Sequence, residues 1–292
     1  MWEWLEALSK PLIFVFDPHK RIYWFYLLSS LLLAIIISGR AIFKIKPWLN
    51  ASSAFDLIWL FINQGLSKLI LVPLFAMQIS LLLMINNGLQ TLFGRGEFFI
   101  IDDSWLSIIL AFSLFICNDF GKFLVHRAMH RTPWLWRFHA LHHSATSMTP
   151  LTLYRIHPVE LAINALRNLL INVLISSLFV YLFKNNLSVF DLLGVNIFVF
   201  IFNIAGSNLR HSHIWLGFGR WEQVFISPAQ HQIHHSAEHK HFNKNFGSAL
   251  AIWDSYFKTL LLSQHQQVEH FGLDKSNKNR QRFRLQWLGI DD

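Results

Sequence analysis

Long apolar runs separated by short polar segments are the dominant pattern of the chain. Five runs stand out because each is nearly free of charge, and most approach the ~20 residues with which a helix crosses a bilayer. They cover residues 22–39, 69–93, 104–118, 161–183 and 192–209. The first and third are short enough to form half-buried hairpins, and Pro73 is expected to kink or begin a helix. The pattern predicts an all-α integral membrane bundle of about four to five spans or hairpins.

Charge alternates along the polar segments between these runs. Segment 40–46 and the segment after Asn118 are basic, whereas segment 94–103 is net acidic. The part of the chain from Arg210 onward holds ten lysines and arginines. Since the cytoplasmic loops of membrane proteins are enriched in Lys and Arg, we expect the basic segments to face the cytoplasm. A turn is expected at 185–188, where Asn and Ser favour local backbone hydrogen bonds over helix.

Composition supports a membrane protein over a large soluble α-helical enzyme. Of the 292 residues, 53% are hydrophobic and 14% are charged, and the mean hydropathy is +0.35, whereas a soluble domain carries about 25% charged residues. The net charge of +8 is typical of basic cytoplasmic loops or contact with anionic lipid, since the chain contains no recognisable nucleic-acid-binding module. The single cysteine, Cys117, excludes an internal disulfide. The acidic, interrupted N-terminus differs from a secretory signal peptide, so internal spans are expected to direct insertion.

The chain is predicted to form a single domain, 1–292, without internal repeats. Residues 1–118 are expected to be mainly membrane helices. Residues 119–260 are expected to form a histidine-rich catalytic region, with further membrane helices within 161–209 and a cytoplasmic helical cap. Residues 261–292 are polar and basic and are expected to form a surface tail.

Histidines are concentrated in the same region, with thirteen of 16 between His126 and His241. They follow an H-x3-H pattern once and an H-x2-H-H pattern twice. Residues three and four apart project from one face of a helix, so the patterns predict three short helices that each present two or three imidazoles. Neutral imidazole binds Fe, Zn, Cu and Ni, and eight ring nitrogens exceed what one ion uses, so two ions are expected. The eight predicted ligands are His126, His130, His139, His142, His143, His231, His234 and His235.

Other residues complete the predicted site. His211 is predicted as a ninth ligand because it follows the last apolar run directly. His157 is a possible ligand, although it precedes Pro158 and could instead cap the next helix. Asp119 and Asn245 are predicted to accept hydrogen bonds from the ligand histidines without binding the ion themselves, because a metal-bound imidazole usually donates its other N–H to a carboxylate or carbonyl. Glu160 and Asp254 are further candidates for that role. Three histidines are weaker ligand candidates: His213, His239 and His241. Three others are expected at the surface: His19, His265 and His270.

These patterns resemble those of the fatty acid hydroxylase/sterol desaturase superfamily of integral-membrane diiron enzymes. The resemblance lies in the order of NDFGKFLVHRAMHRTPWLWRFHALHHS, RIHPVE, RHSHI and SPAQHQIHHSAEHKHFNKNFGSALAIWDSYFKTL, and it covers roughly 119–260, about half of the chain. By position it implies the same eight ligands, with His211 as the additional histidine between the patterns. Two positions depart from the family: Lys258 replaces a usual glycine and His213 a frequent Asn. Neither touches the eight ligands, and both bear on substrate geometry.

The resemblance implies two iron ions, with zinc possible in the isolated protein, and O2 as co-substrate. It implies hydroxylation, or alternatively desaturation, of a lipid such as a fatty acyl chain or a sterol that reaches the site from the bilayer. The chain has no G-x-G-x-x-G after a strand and no cysteine set for an iron–sulfur cluster. Electrons are therefore expected from a separate reductase, ferredoxin or cytochrome. Basic residues on which an acidic donor could dock are Arg131, Arg137, Arg220, Lys240 and Lys244.

Three alternatives stay open from the sequence. A dizinc membrane hydrolase would also use imidazole ligands, but it needs a carboxylate base, and few acidic residues lie within the histidine patterns. A histidine-rich metal transporter or sensor would place ionisable residues along its spans, where Arg167 is the one charge near a span interior. A structural membrane protein with degenerate patterns would not keep both triplets intact.

Overall fold

The computed structural model describes residues 10–17, 20–39, 48–183, 187 and 197–273. Every regular element within these ranges is helical, and β pairing is confined there to isolated bridges such as the one between Phe225 and Leu250. The all-α prediction is therefore confirmed. The basic segment 40–46, most of the turn expected at 185–188, the surface position His19 and the tail beyond 273 lie outside the described residues.

The described helices are of very unequal length. In chain order the α-helices are α1 (Trp24–Ser38), α2 (Ala51–Phe93), α3 (Asp103–Arg131), α4 (Pro133–His143), α5 (Pro158–Leu182), α6 (Ile197–Ile204), α7 (Pro228–His234) and α8 (Ile252–Tyr256). By length and composition α2, α3 and α5 can each cross a membrane, and α1 is a shorter apolar helix. These three helices identify an integral membrane protein, as predicted.

Two helices extend well beyond the apolar runs from which they were predicted. Helix α2 begins at Ala51 because polar side chains in its first half are satisfied by tertiary contacts: the Nδ2 of Asn63 donates to the carbonyls of Tyr154 and Ile156, both at 2.8 Å. Pro73 lies inside α2 and does not begin it. Helix α3 continues past its apolar run to Arg131. Its last turns therefore belong to a long helix where a separate short one was predicted.

The chain divides into two compact units. The first unit contains 1–66, 123–161 and 202–292, and the second contains 67–122 and 162–201. In the second unit the core is formed by leucines of α3, among them Leu110, packed with Phe179 of α5. In the first unit one cluster joins Phe14, Ile22 and Leu60. All nine histidines predicted as ligands belong to the first unit.

Candidate metal centre

Two consecutive helices supply the first five histidines. His126 and His130 lie in the last turns of α3, and His139, His142 and His143 lie on α4. The two helices are separated by Thr132 alone, and Pro133 stands at the first position of α4, where its fixed φ and missing N–H suit a helix start. This tight connection brings the end of one helix next to the other.

The remaining four histidines come from a later part of the same unit. His231 and His234 lie on α7, His235 follows at its C-terminus, and His211 ends the 3-10 helix Ser207–His211. Helix α7 is only seven residues long, and a capping box fixes its start. In that box the Ser227 hydroxyl accepts from the Gln230 N–H at 3.1 Å, and the Gln230 Oε1 accepts from the Ser227 N–H at 3.0 Å.

The nine imidazoles form two groups in which one ring nitrogen per residue lies within 4.8 Å of all the others. The first group contains His126, His130, His139, His143 and His234, and the second contains His142, His211, His231 and His235. The two groups adjoin. His143 of the first and His235 of the second stack with 4.4 Å between ring centroids and 20° between planes. Within the second group the Nε2 atoms of His211 and His231 are 3.1 Å apart.

Each H-x2-H-H triplet, predicted to present its histidines on one helix face, divides between the two adjoining groups. His139 and His143 join the first group while His142 joins the second; His231 and His235 join the second while His234 joins the first. Successive helical residues are rotated by about 100°, so residues four apart differ by only about 40° and stay together, whereas adjacent histidines diverge.

Burial keeps five of these imidazoles, all outside the membrane-spanning helices, neutral. It lowers the pKa of His142 and of His234 to about 3, and lowers the pKa of His143, His231 and His235 well below its ordinary value. Neighbouring histidines add to this effect, because a charge on one ring disfavours a charge on the next. Neutral imidazole is the form that binds a metal ion.

Several ring nitrogens have no hydrogen-bond partner among the described residues although they are buried. They are the Nε2 atoms of His130, His139, His143 and His234, the Nδ1 of His231 and both ring nitrogens of His235, while the Nδ1 of His139 has only its ion-pair contact with Glu160. A buried polar atom without a partner costs about 1–3 kcal/mol, so such a concentration within a few ångströms needs an explanation. Two groups of such nitrogens fit a pair of metal ions, which would bind one ring nitrogen of each histidine.

In four of the predicted ligands, the ring nitrogen Nδ1 lies close to an oxygen atom. The Nδ1 of His139 lies 3.0 Å from Oε1 of Glu160. The Nδ1 atoms of His126 and His234 each lie 2.8 Å from a backbone carbonyl, those of Phe246 and Lys244 respectively, and the Nδ1 of His142 lies 3.3 Å from the carbonyl of Arg155. A partner on Nδ1 leaves Nε2 free for an ion and fixes the ring.

Other predicted site residues lie elsewhere. His157 belongs to neither group, and its Nδ1 accepts the N–H of Val159 at 3.1 Å, the capping role considered from the sequence. His241 is buried and its Nδ1 lies 2.8 Å from the Ser236 hydroxyl. Asp119 belongs to the second unit, where it interacts electrostatically with Arg167. The positions His213, His239, His265 and His270 are in neither group.

Sequence reasoning missed a buried ion pair behind the second group. Asp56 of α2 is fully buried, and its Oδ1 accepts from the Nε of Arg155 at 2.6 Å. The same Arg155 donates to the hydroxyl of Ser144, which follows α4, at 3.1 Å. The only signal of this pair in the sequence is a lone acidic residue in an otherwise apolar segment.

Comparison with known proteins places this site in a family. The model of the fatty acid hydroxylase family matches residues 111–259, just over half of the chain and the region that carries all nine histidines. Ornithine lipid hydroxylase OlsE of Rhizobium tropici is 28% identical over 158 residues, which are 54% of this chain and 43% of that protein. Alkylglycerol monooxygenase of Caenorhabditis elegans is 27% identical over 191 residues (65% of this chain, 34% of that protein), and that of Homo sapiens is 26% identical over 155 residues (53% and 31%).

The chain spans less than half the length of these curated relatives. No solved structure gives a significant match. The resemblance seen in the histidine patterns is nevertheless confirmed, because the family match extends over more than half of the chain and includes both H-x2-H-H triplets. The chain belongs to the fatty acid hydroxylase family.

Proposed function

We propose that the protein is a membrane-bound, O2-dependent diiron oxygenase that hydroxylates a C–H bond of a lipid. The observation that carries the proposal is the division of nine imidazoles into two adjoining groups, each of which suits one ion. The overall reaction consumes O2, two electrons and two protons, and it yields one C–OH group and one water. Two bound iron ions would supply the reduction of O2 and the attack on an unreactive C–H bond.

The residues of the chain hold and shield this chemistry. His142 and His234 offer nitrogen ligands without titrating near neutral pH, because burial lowers the pKa of each to about 3. Glu160 and three backbone carbonyls orient four of the rings through Nδ1. Burial of the second group limits access of bulk water to the reacting atoms.

The substrate we propose is the acyl or alkyl chain of a polar lipid, which would reach the site from the bilayer. Support comes from the apolar helices α2, α3 and α5 and from the names of the relatives, an ornithine lipid hydroxylase and alkylglycerol monooxygenases. We propose a cytoplasmic site with a separate reductase, ferredoxin or cytochrome as donor. The basic segments that follow the positive-inside rule support this face.

A dizinc hydrolase is less well supported. It would need a carboxylate free to act as a base beside a metal-bound water. The acidic side chain at the histidine groups is Glu160, and its Oε1 lies 3.0 Å from the outer Nδ1 of His139, where it serves the ligand. Zinc in the isolated protein would not by itself favour hydrolysis, because imidazole sites accept either metal.

The test joins metal content to product formation. Protein purified in mild detergent from iron-supplemented cells is analysed for metal and incubated with membrane lipids, isotopically labelled O2 and a ferredoxin–reductase pair. We expect two irons per chain and a lipid that gains one labelled oxygen atom, detected by mass spectrometry. His142→Ala and His234→Ala should each lose one ion and all activity, because they serve different groups.

A matched control separates these losses from general damage. His270→Ala removes an exposed imidazole that belongs to neither group and should leave metal content and product formation unchanged. Retained activity in His142→Ala or His234→Ala would refute the site. A wild-type protein that binds no stoichiometric metal after iron reconstitution would refute the function. Labelling of a His270→Cys, Cys117→Ser variant in right-side-out and inverted vesicles tests the cytoplasmic face.

A further inference from the structure

Residues 244–247, which we term the carbonyl loop, approach the metal groups with backbone atoms and no side-chain ligand. The carbonyl oxygen of Phe246 lies 2.8 Å from Nδ1 of His126, and that of Lys244 lies 2.8 Å from Nδ1 of His234. A carbonyl can only accept, so each Nδ1 carries the proton and each Nε2 is left with its lone pair. Both histidines belong to the first group.

A buried carboxylate holds the Phe246–Gly247 end of this loop. Asp254 of α8 has no exposed surface. Its Oδ1 accepts from the N–H of Phe246 at 2.8 Å, and its Oδ2 accepts from the N–H of Gly247 at 2.7 Å. The hydroxyl of Thr259 donates to Oδ1 at 2.6 Å. Because these charge-assisted bonds fix the peptide groups at both ends of residue 246, they also fix the direction of its carbonyl.

The backbone of the loop leaves little room for another arrangement. Asn245 adopts a left-handed conformation, φ 56°, and its side chain bonds to both the N–H and the carbonyl of Leu261, at 2.8 and 2.9 Å. A Cβ at Gly247 would lie 2.5 Å from the carbonyl of Leu250 and 2.8 Å from Oδ2 of Asp254. Only glycine therefore allows the backbone to come this close to the carboxylate.

A different set of contacts orients a histidine of the second group. The Nδ1 of its His142 faces the carbonyl of Arg155 at 3.3 Å, and Arg155 is held by Asp56. The side-chain hydrogen bonds described above for Asp254 go to residues 246, 247 and 259, which are not members of the second group. The two ion positions thus differ in what orients their ligands.

We propose that Asp254 is a positioning residue for one ion only, the ion of the first group, through the carbonyl loop. The inference rests on the proposed two-ion function and adds that different residues orient the ligands of the two ions. Loss of the carboxylate frees the carbonyl of Phe246, which orients His126, one of the five ligands in the first group. The peptide that carries the carbonyl of Lys244 is held separately, because the Asn245 N–H donates to the carbonyl of Thr259 at 3.0 Å. Loss of an outer partner typically weakens metal affinity 10–100-fold, here at one position, with the other unchanged.

The test uses Asp254→Asn, which keeps the size of the side chain but turns one of two accepting oxygens into a donor facing an N–H. The full-length protein in detergent is stripped with a chelator and titrated with cobalt(II), whose visible absorption reports coordination, and bound metal per chain is counted by elemental analysis. We expect one ion to bind as in the wild type and one to bind about 10–100-fold more weakly. The retained ion also shows that the variant is folded.

Glu222→Gln is the matched control. Glu222 is equally buried, and its carboxylate accepts from the Phe218 N–H, the Ser227 hydroxyl and both the N–H and hydroxyl of Ser263. Because the Ser227 hydroxyl caps α7, whose His231 and His234 serve different groups, any effect of Glu222→Gln should fall on both ions alike and not on one. Gly247→Ala, which disturbs the carbonyl loop from its other side, should reproduce the loss of one ion.

Two results would overturn the inference. One is wild-type affinity for both ions in Asp254→Asn, and the other is equal weakening of both ions in that variant. A wild-type protein that binds fewer than two ions would instead contradict the proposed function and remove the inference with it. These outcomes are distinguishable because the wild type is titrated first.

Discussion

The buried pair of Asp56 and Arg155 allows a quantitative prediction for Asp56→Ala. Asp56 is fully buried and Arg155 is 2% exposed, and the Nε–Oδ1 distance is 2.6 Å. The carboxylate also accepts from the hydroxyl of Thr152 at 2.6 Å, while Arg155 donates to the carbonyl of Ser52 at 2.6 Å. Removal of Asp56 leaves the guanidinium buried without its counter-charge, which costs about 3–5 kcal/mol.

The expected result is a lower melting temperature and a weaker second ion position. At about 2–4 °C per kcal/mol for a chain of this size class, the apparent Tm should fall by roughly 6–20 °C. Because the carbonyl of Arg155 faces Nδ1 of His142, the variant should also bind the second-group ion less tightly. Thermal unfolding in mild detergent, followed by tryptophan fluorescence, measures the first effect and metal titration the second.

Two controls test the reasoning. Arg95→Ala breaks an exposed pair with Glu97, whose side chains are 84% and 42% exposed, and should change stability by less than about 1 kcal/mol. The double variant Asp56→Leu, Arg155→Met removes both charges together and should be less damaging than the sum of the singles. A Tm for Asp56→Ala equal to that of the wild type, or strictly additive effects in the double variant, would refute the account.

Three further predictions concern the histidines. Glu160→Gln, which weakens the partner 3.0 Å from Nδ1 of His139, should reduce metal affinity 10–100-fold, measured by chelator competition; unchanged affinity would contradict the assigned role. His142→Ala and His143→Ala should each bind one ion per chain and the double variant none, since these neighbours serve different groups; elemental analysis decides, and a single variant without metal would contradict the division. Burial lowers the pKa of His142 and His234 to about 3, so the unfolded chain takes up protons at a higher pH than the folded chain does. The free energy of unfolding of the metal-free protein should therefore be greatest above pH ~6.5 and should fall below it by about 1.4 kcal/mol per pH unit for each such histidine. A melting temperature that does not change from pH 7 to pH 5 would refute this prediction.

The histidine patterns predicted the metal centre because helical spacing is a local property. Pairs four residues apart, such as His126 with His130 and His231 with His235, stay together in one group. The division of each triplet between two ions depends on how α4 and α7 are rotated toward the centre, and spacing alone does not contain that rotation. The prediction therefore named the nine residues that the structure brings together but did not assign them to the two groups.

Other features depend on contacts that no local pattern carries. The carbonyls of Lys244 and Phe246 belong to the backbone, so their role has no residue-type signal. Helix α2 starts before its apolar run because Asp56 and Asn63 find partners near residue 155, and a hydropathy window counts such residues only as polar. Long-range satisfaction of buried polar groups is thus where the sequence-based prediction was incomplete.

The unequal division of the ligands between early and late helices bears on how the centre is made in the cell. Helices α3 and α4 already hold four of the five imidazoles of the first group but only His142 of the second. His231 lies 88 positions after His143, and at 5–20 residues per second a ribosome needs roughly 4–18 s to add them. During that interval the first group has four of its five imidazoles, whereas three of the four imidazoles of the second group have yet to be synthesised or are being synthesised. The proposed ion of the second group therefore depends on α7, whereas most ligands of the first are present before it.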